Sequence, residues 1–555
     1  MENRLPVTDK YDAERSALDK SGRFGGSDMT PIPWRCSDIC KALKLSLNDK
    51  SETLFASIST DSRFITRDDL FVALRGERFN GHSFIFDLIS LGIRGFVVEK
   101  AFSDTLASEQ QKKIQEHDIL LFSVDDTLSA LGMLARFQRV RSNVKVLAIT
   151  GSNGKTTTRR MAASIFGQHF NTLSTQGNLN NEIGLPMTLL KLSSGHQWAV
   201  VEMGMNHPGE IARLSAIARP DIAIVTNTTD AHLEGLGTVD DVARAKAEIT
   251  EGMTPGSTIL INRDDPRWHI IANRAKEFPD IANTLFWGAD RESSHFSAAD
   301  LSFDQEGITF SLCRNSFEAL TEQNHQPGDQ LKTDSDNNRT SHEGMDHCCE
   351  CNGDFRIRTP ARFMLCNALA AIAAAFTAGI PHGAIQKGLL MFEPTAGRMK
   401  IIELGHYGTD HKLYLIDDTY NANPGSVKGA VETLKRLSLG RESIAILGDM
   451  LELGEQSRKL HFQIGQAVAM ADVSRLYLHG DMASEFALGA QSSGLSQERI
   501  MHGTKEEIIA DLMGYMQKGE QQKSDIWILV KGSRGMKMEK IVEALISCNG
   551  EDLTH

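Results

Sequence analysis

One stretch limits what this chain can fold into: Val144–Arg159, VKVLAITGSNGKTTTR. Its first residues are apolar or β-branched apart from Lys145, which reads as a short buried strand over Val144–Thr150. Gly151, Ser152, Asn153, Gly154, Lys155, Thr156 and Thr157 follow, and a helical pattern then runs to about Gly167. Strand, glycine loop, lysine-threonine and helix together make a cradle for phosphate. Glycines let backbone N–H groups turn toward an anion, and the helix N-terminus adds partial positive charge. Lys155 can reach β- and γ-phosphates, and the Thr156 hydroxyl can ligate Mg²⁺. The spacing departs from the common GxxxxGK[ST] form, because Ile149 stands where the first glycine would be. Alone, the loop says only that the chain binds a nucleoside triphosphate.

The rest of the chain must be organised around that loop. A length of 555 residues predicts two to four domains at roughly 100–200 residues each. The net charge of −13 argues against broad nucleic-acid binding. No run approaches the roughly 18 apolar residues of a membrane span; the alanine-rich Leu365–Ile380 contains Asn367 and Thr377 and reads as a packed helix. The charged N-terminus lacks an apolar leader core, and the eight cysteines do not form a secreted disulfide pattern, so a cytoplasmic monomer is expected. Residues 1–30 read as a disordered extension.

An α/β fold of three domains is expected. The first, 31–141, has strand patterns at Ile58–Arg63, Asp69–Leu74 and Gly95–Val98, then an amphipathic helix Leu128–Val140. Its polar glycine loop Arg75–His82 reads equally as a ligand loop or as a solvated turn. The second, 142–394, alternates strands (Val144–Thr150, Trp198–Met203, Ile222–Asn227, Thr258–Asn262, Thr284–Trp287) with helices near Lys155–Phe166, Pro208–Ala218, Val239–Thr250 and Arg267–Glu277. That order implies a parallel sheet covered on both faces, with ligands beyond the carboxyl ends of its strands. Glu202, Asn227 and Asn262 stand at those ends. Residues 322–354 are polar and read as a disordered insertion; His342, His347, Cys348, Cys349 and Cys351 make a weak zinc pattern, and a mobile surface loop is the better reading. After a hinge at Pro394–Arg398, the third domain, 395–555, is a second α/β alternation with Asp417, Asp418, Asp449, Lys531 and Arg534 at strand ends.

Several blocks then stand together: TQGNLNNEIGLPMTLL, EMGMNHPGEI, HLEGLGTVDDVARAKAEI, DDTYNANPGS, LGDMLELG and VKGSRGMKMEK. With TGSNGKTTT, these resemble the Mur ligase family from about residue 30 to 548. The resemblance is narrowest to the members that add D-alanyl-D-alanine to UDP-N-acetylmuramoyl-tripeptide in peptidoglycan precursor synthesis. It implies a first domain that holds the UDP end, with Thr60, Asp61, Ser62, Arg75, Arg78, Asn80, Gly81 and His82 near uracil or phosphate. It implies a central domain that holds ATP and two Mg²⁺, and a Rossmann-like third domain that closes over the nucleotide and helps bind the dipeptide. The tripeptide carboxylate would attack the γ-phosphorus, giving an acyl phosphate that the dipeptide amine then opens.

The resemblance also suggests roles residue by residue. Both reactants are anionic, so positive charge must be concentrated, and Lys155 and Mg²⁺ supply it. Thr156 and Glu202 are candidate magnesium ligands. His232 resembles the histidine near the second metal. Lys246, in ARAKAE, resembles the family's carbamylated lysine; Arg244, two residues earlier, points elsewhere on the helix. Asn367 resembles the adenine-contacting asparagine, although Phe363 and Met364 replace the His-Asn of the usual Gly-Arg-His-Asn before it. Arg398 and Asp418 resemble third-domain residues that meet phosphate and ribose. Two other readings stay open: a neighbouring ligase that adds a single amino acid, and a P-loop NTPase that forms no bond.

Overall fold

Alternating strand and helix patterns give three main sheets in the computed structural model, which describes residues 30–46, 52–76, 79–229, 233–304, 306–315, 350–407, 411–518 and 525–548. The first sheet is all parallel: β1 (Ser57–Ser59), β2 (Asp69–Val72), β3 (Gly95–Glu99) and β4 (Leu120–Val124), side by side in chain order. Helix α1 (Thr127–Ser142) leaves it, capped by the Asp126 carboxylate, which accepts the N–H groups of Leu128 (3.3 Å) and Ser129 (2.8 Å). Its first residue bonds back to the first unit, Thr127 Oγ1 to the Ala73 carbonyl at 2.9 Å. Its last turns grip the second unit: Arg139 donates to the Ala218 carbonyl at 3.0 Å and to Asp221 at 2.8 Å.

The central sheet has nine strands: β5 (Lys145–Thr150), β6 (Thr172–Ser174), β7 (Trp198–Glu202), β8 (Ile222–Val225), β9 (Ser257–Asn262), β10 (Ile281–Trp287), β11 (Phe296–Phe303), β12 (Ile308–Arg314) and β13 (Glu350–Ile357). Their spatial order is β6-β7-β5-β8-β9-β10-β11-β12-β13, parallel up to β11 and antiparallel beyond. β7 is buried at every residue and β5 at all but Lys145, as expected of strands covered on both faces. The helices used below are α2 (Lys155–Phe166), α3 (Val239–Ala247) and α4 (Phe363–Thr377).

The third sheet has the order β14-β15-β19-β16-β17-β18, built from β14 (Lys400–Tyr407), β15 (His411–Asp418), β16 (Glu442–Gly448), β17 (Arg475–His479), β18 (Ile500–His502) and β19 (Ile526–Lys531). Only β14 runs antiparallel to its neighbour. Helix α5 (Pro424–Ser438) follows β15, with Pro424 in its first turn and the Asn423 side chain as its cap.

Two clusters of buried side chains cross the unit boundaries. One joins Leu70 and Val72 of the first sheet, Leu131 and Leu134 of α1, and Val146, Ala199 and Val201 of the central sheet. The other joins Ile149 and Trp198 to Ile416, Val427, Leu447 and Leu529.

The structure adds elements that the sequence reading lacked: β4, β6, β11, β12, β13, β14 and β18. It also trims the expected insertion, because β13 begins at Glu350, in register with Arg314. The rest of that insertion, with His342, His347, Cys348 and Cys349, lies outside the described residues, as does the extension up to residue 29. Among the described residues, no helix is long and apolar enough to cross a membrane.

Candidate active site

The carboxyl ends of β7, β5 and β8 lie together, because Glu202 is in register with Ile149 and Val225 with Thr150. From Thr150 the chain turns through Gly151 (φ +146°) and Gly154 (φ +80°) into α2, whose first residue is Lys155. Space as well as backbone angle demands these glycines. A Cβ on Gly151 would stand 1.8 Å from Thr226 Oγ1, and one on Gly154 would stand 2.2 Å from Asn367 Oδ1. The segment after β8 clamps the loop. Asn153 N–H donates to Asn227 Oδ1 at 2.8 Å, Thr226 Oγ1 to the Asn153 carbonyl at 2.6 Å, and Ser152 N–H to the Asn227 carbonyl at 2.9 Å. Asp265 holds that segment in turn, accepting the Thr228 hydroxyl at 2.8 Å. Lys155 Nζ folds over the loop onto the carbonyls of Gly151 (2.6 Å) and Ser152 (3.2 Å). Burial holds its ammonium below the usual lysine range, with Glu202 opposing that shift and Arg398 adding to it.

Glu202, the last residue of β7, is 2 % exposed. Its Oε1 accepts Asn180 Nδ2 at 2.8 Å, and its Oε2 accepts Arg159 Nε at 3.3 Å. Arg159 also donates to Ser174 Oγ at 3.2 Å and to the Thr175 carbonyl. Asn180 and Arg159 are functional neighbours that sequence reasoning missed. Arg159 had a readable signal: it follows Lys155 by four residues in one helix, so both side chains share a face.

Lys246 lies in α3, 1 % exposed, and among the described residues its Nζ has no hydrogen-bond or ion-pair partner. Burial pushes its ammonium well below the usual range; nearby Lys155 acts the same way and Asp265 opposes. Arg244 is exposed and pairs with Asp241, so the two residues do face apart. His232 lies outside the described residues.

Asn367 lies on α4 against Gly154, accepting Thr158 Oγ1 at 3.3 Å. Where the resemblance has His-Asn, this chain has one apolar contact and one weak N–H···S hydrogen bond. Met364 is buried, with its sulfur 3.7 Å from Asn367 Nδ2, and Phe363 lies against Gly429 of α5. Arg398 follows the hinge glycine, Gly397, and lies 3.9 Å over the Tyr420 ring. Both acids at the end of β15 face the hinge: Asp417 Oδ2 accepts Gly397 N–H at 2.6 Å, and Asp418 Oδ1 accepts Met399 N–H at 3.1 Å. Asp418 also pairs with Lys531 at 2.5 Å. Burial pushes the Asp418 carboxyl up, and Lys531 opposes.

Lys155, Arg159 and Arg398 therefore form a cluster of cations around one buried acid, Glu202, an arrangement suited to a polyphosphate. Among the described residues, no three His, Cys, Asp or Glu side chains stand together as a ready-made metal cage. Magnesium fits such a site all the same, because it takes one or two carboxylates and completes its shell with phosphate oxygens and water. Glu202 would supply the carboxylate and Thr156 a hydroxyl.

In the first unit, Thr60, Asp61 and Ser62 follow β1 while Arg75–His82 follows β2, so both segments lie at one edge of the sheet. Asp61 pairs with Arg63 at 2.7 Å, which holds its carboxyl below the usual range. His82 is 4 % exposed, and both its ring nitrogens are engaged: one meets Asn80 Oδ1 at 3.0 Å, and Nε2 accepts Glu99 N–H at 3.0 Å. A Cβ on Gly81 would stand 2.9 Å from the Leu74 backbone. Asn80, Gly81 and His82 thus shape this loop, and Arg75 is its exposed cation. Arg78 lies outside the described residues.

Fold and site together define a three-unit phosphate-loop enzyme whose third unit brings Arg398 toward the loop. More particularly, the chain belongs to the Mur ligase family. The profile of the Mur ligase middle domain matches residues 149–375, that of the Mur ligase glutamate ligase domain 397–534, and that of the Mur ligase family catalytic domain 55–139. The chain is 34% identical over 495 residues to the UDP-N-acetylmuramoyl-tripeptide–D-alanyl-D-alanine ligase of Escherichia coli (strain K12), covering 88% of this chain and 93% of that protein. To the protein of the same name from Bacillus subtilis (strain 168) it is 31% identical over 495 residues, covering 89% and 94%. The crystal structure of MurF from Acinetobacter baumannii superposes with a TM-score of 0.75 at 29% identity, covering 93% of this chain and all of that one.

Proposed function

We propose that this chain is an ATP-dependent ligase that joins D-alanyl-D-alanine to UDP-N-acetylmuramoyl-tripeptide, giving the pentapeptide precursor of peptidoglycan. The observation that carries this reading is the cluster of cations around Glu202, built by two units of a chain that relatives of that name match over 88% and 89% of its length.

The chemistry has two steps. A carboxylate oxygen of the tripeptide attacks the γ-phosphorus, the bond to the β-phosphate oxygen breaks, and ADP leaves an acyl phosphate. The dipeptide amine attacks that carbonyl and loses a proton, and inorganic phosphate departs as the amide forms. Backbone N–H groups from Gly154 to Thr157, at the start of α2, meet the phosphates, while those of Ser152 and Asn153 stay on Asn227 and hold the loop; Lys155 leaves the loop carbonyls to join them. Arg398 adds positive charge from the far side, and Asn367 lies beside the loop to meet the base. Asp417 and Asp418 hold the hinge so that Arg398 faces the nucleotide. Positioning and charge stabilisation do the catalytic work.

Magnesium, when bound, draws negative charge off the transferring phosphoryl group; Thr156 and Glu202 would hold one ion. Lys246 would serve a second as a carbamate, for which its burial and its lack of an ion pair suit it: a carbamate offers anionic oxygens where an ammonium would repel the metal. His232 is assigned to the same ion. In the first unit, Arg75 and Arg78 meet the diphosphate, with Thr60, Asp61 and Ser62 beside them and Asn80, Gly81 and His82 setting the loop.

Mass spectrometry of a reaction with ATP, UDP-N-acetylmuramoyl-tripeptide and D-alanyl-D-alanine tests this. The expected product has gained one dipeptide less one water, matched by equimolar ADP and phosphate. Transfer of a single amino acid in preference to the dipeptide, or phosphate release indifferent to the dipeptide, would overturn it.

A further inference from the structure

The phosphate loop is also met by a side chain of the third unit. Asn153 in the loop and Asn423 at the start of α5 are 270 residues apart, yet they pair reciprocally. Asn153 Nδ2 donates to Asn423 Oδ1 at 3.1 Å, and Asn423 Nδ2 donates to Asn153 Oδ1 at 2.6 Å. Both partners are held at their far ends. The Asn153 backbone is bonded to Asn227 and Thr226, and its Nδ2 also reaches Thr229 Oγ1 at 3.1 Å. Asn423 Oδ1 accepts Ser426 N–H at 2.9 Å, while Ser426 Oγ accepts Asn423 N–H at 3.0 Å. That box fixes which way the Asn423 amide points, because its oxygen must face the helix. Its NH₂ group is thereby turned toward the loop.

A pair of this kind could be ordinary glue between packed units, but the other contacts of α5 already provide the glue. Gly429 lies against Phe363, and Arg436 lies 4.6 Å over the Phe303 ring and donates to the Pro360 carbonyl. These lie in the middle and last turn of the helix. Its start touches the loop that wraps the nucleotide: the cap Asn423 bonds it, and Gly425 beside the cap lies against Asn153. One atom, Asn423 Oδ1, both starts α5 and takes the donor of the loop, so neither can shift without the other.

We propose that Asn153 and Asn423 form a latch that ties the position of the third unit to the conformation of the phosphate loop. The part of the site that receives the dipeptide is then assembled when the loop holds its nucleotide. Both are positioning residues, since the latch acts through the helix and not on reacting atoms. This inference rests on the ligase reading given above.

The test uses the full chain with Asn423→Ser, Asn153→Ser and the double variant. Serine is itself a favoured N-cap, so Asn423→Ser keeps α5 started while removing the reciprocal pair; Asn153→Ser touches no helix cap. Losing the pair should lower kcat/KM for D-alanyl-D-alanine by about tenfold in either single variant, with the double no worse than the poorer single. Melting temperature and affinity for a non-hydrolysable ATP analogue should stay near wild type in Asn423→Ser. Small-angle scattering should show that the ATP analogue compacts the wild type and compacts Asn423→Ser less. Dipeptide kcat/KM within twofold of wild type, or losses that simply multiply in the double variant, would overturn the latch. So would equal compaction, or no compaction of the wild type. If the wild type makes no dipeptide product, the ligase reading fails, and the scattering comparison alone still decides the latch.

Discussion

Lys246 is a buried lysine without an ion pair. Among the described residues its Nζ has no hydrogen-bond or ion-pair partner, and an ammonium there would face Lys155, with Asp265 as the acid that acts on it. Lys246→Ala should therefore be nearly inactive, with part of the activity restored by added acetate, while Arg244→Ala on the exposed face should be mild. Near-normal kcat for Lys246→Ala in carbonate-free buffer would remove the lysine from the metal site. A second residue links burial to pH. His295 is buried between β10 and β11, with Nδ1 accepting Phe286 N–H at 3.1 Å, and desolvation pushes its pKa down to about 4. The unfolded chain binds this proton near the usual 6.5, so it is the more protonated state in between, and stability falls as pH drops from about 6.5 to about 4. The loss is at most about 3 kcal/mol. Urea unfolding at pH 4.5 and pH 7 should show a smaller difference for His295→Asn than for wild type, and an unchanged difference would refute the assignment. Glu202 and Lys246 were legible because each stands in a long family block. Asn180 and Asp265 were not, because what they do depends on partners brought in by other elements, such as Asn180 on Glu202 of β7; for Arg159 the spacing from Lys155 marked its helix face, and only its partner was hidden.

The alternation of buried strands with helices was legible for β5, β7, β8 and β9, since those strands are buried on both faces and few other structures tolerate that. The missed strands carry weaker signals. β6 is three half-buried residues, and β11 (FSAADLSF) is mostly exposed beyond its first residues. β13 (ECNGDFRI) starts with polar residues that blend into the polar stretch before it. This alters where that stretch can be cut. Deleting Gln323–Asp346 should leave activity and melting temperature close to wild type, because every described strand is retained. Extending the deletion through Gly353 removes the pairing of Glu350 with Arg314 and of Asn352 with Leu312, and should lower the melting temperature by several degrees. Equal melting temperatures for the two deletions would show that the start of β13 contributes nothing, and zinc bound stoichiometrically and lost on deletion would give the stretch another purpose.

Across the whole molecule, the two joints differ. The first unit is braced by α1, which is bonded at its start to Ala73 and near its end to Ala218 and Asp221. The third turns at Gly397, a position with φ +76° where a Cβ would stand 3.1 Å from Tyr420. Closure on substrates should therefore come chiefly from the third unit, and a water-excluding cleft protects an acyl phosphate. The radius of gyration should fall when an ATP analogue and UDP-N-acetylmuramoyl-tripeptide are both present; no change at saturation would argue for a rigid enzyme. The buried clusters that cross both joints have a thermodynamic consequence. A chain divided into three units by its sheets is not divided by its cores: Leu131 and Leu134 of α1 pack with both the first and the central sheet, and Val427 of α5 belongs to the same cluster as Ile149. Melting one unit strips apolar cover from the next, so a calorimetric scan should show one broad endotherm where three independent domains would give three, and separate peaks would mean that the shared side chains do not couple the units.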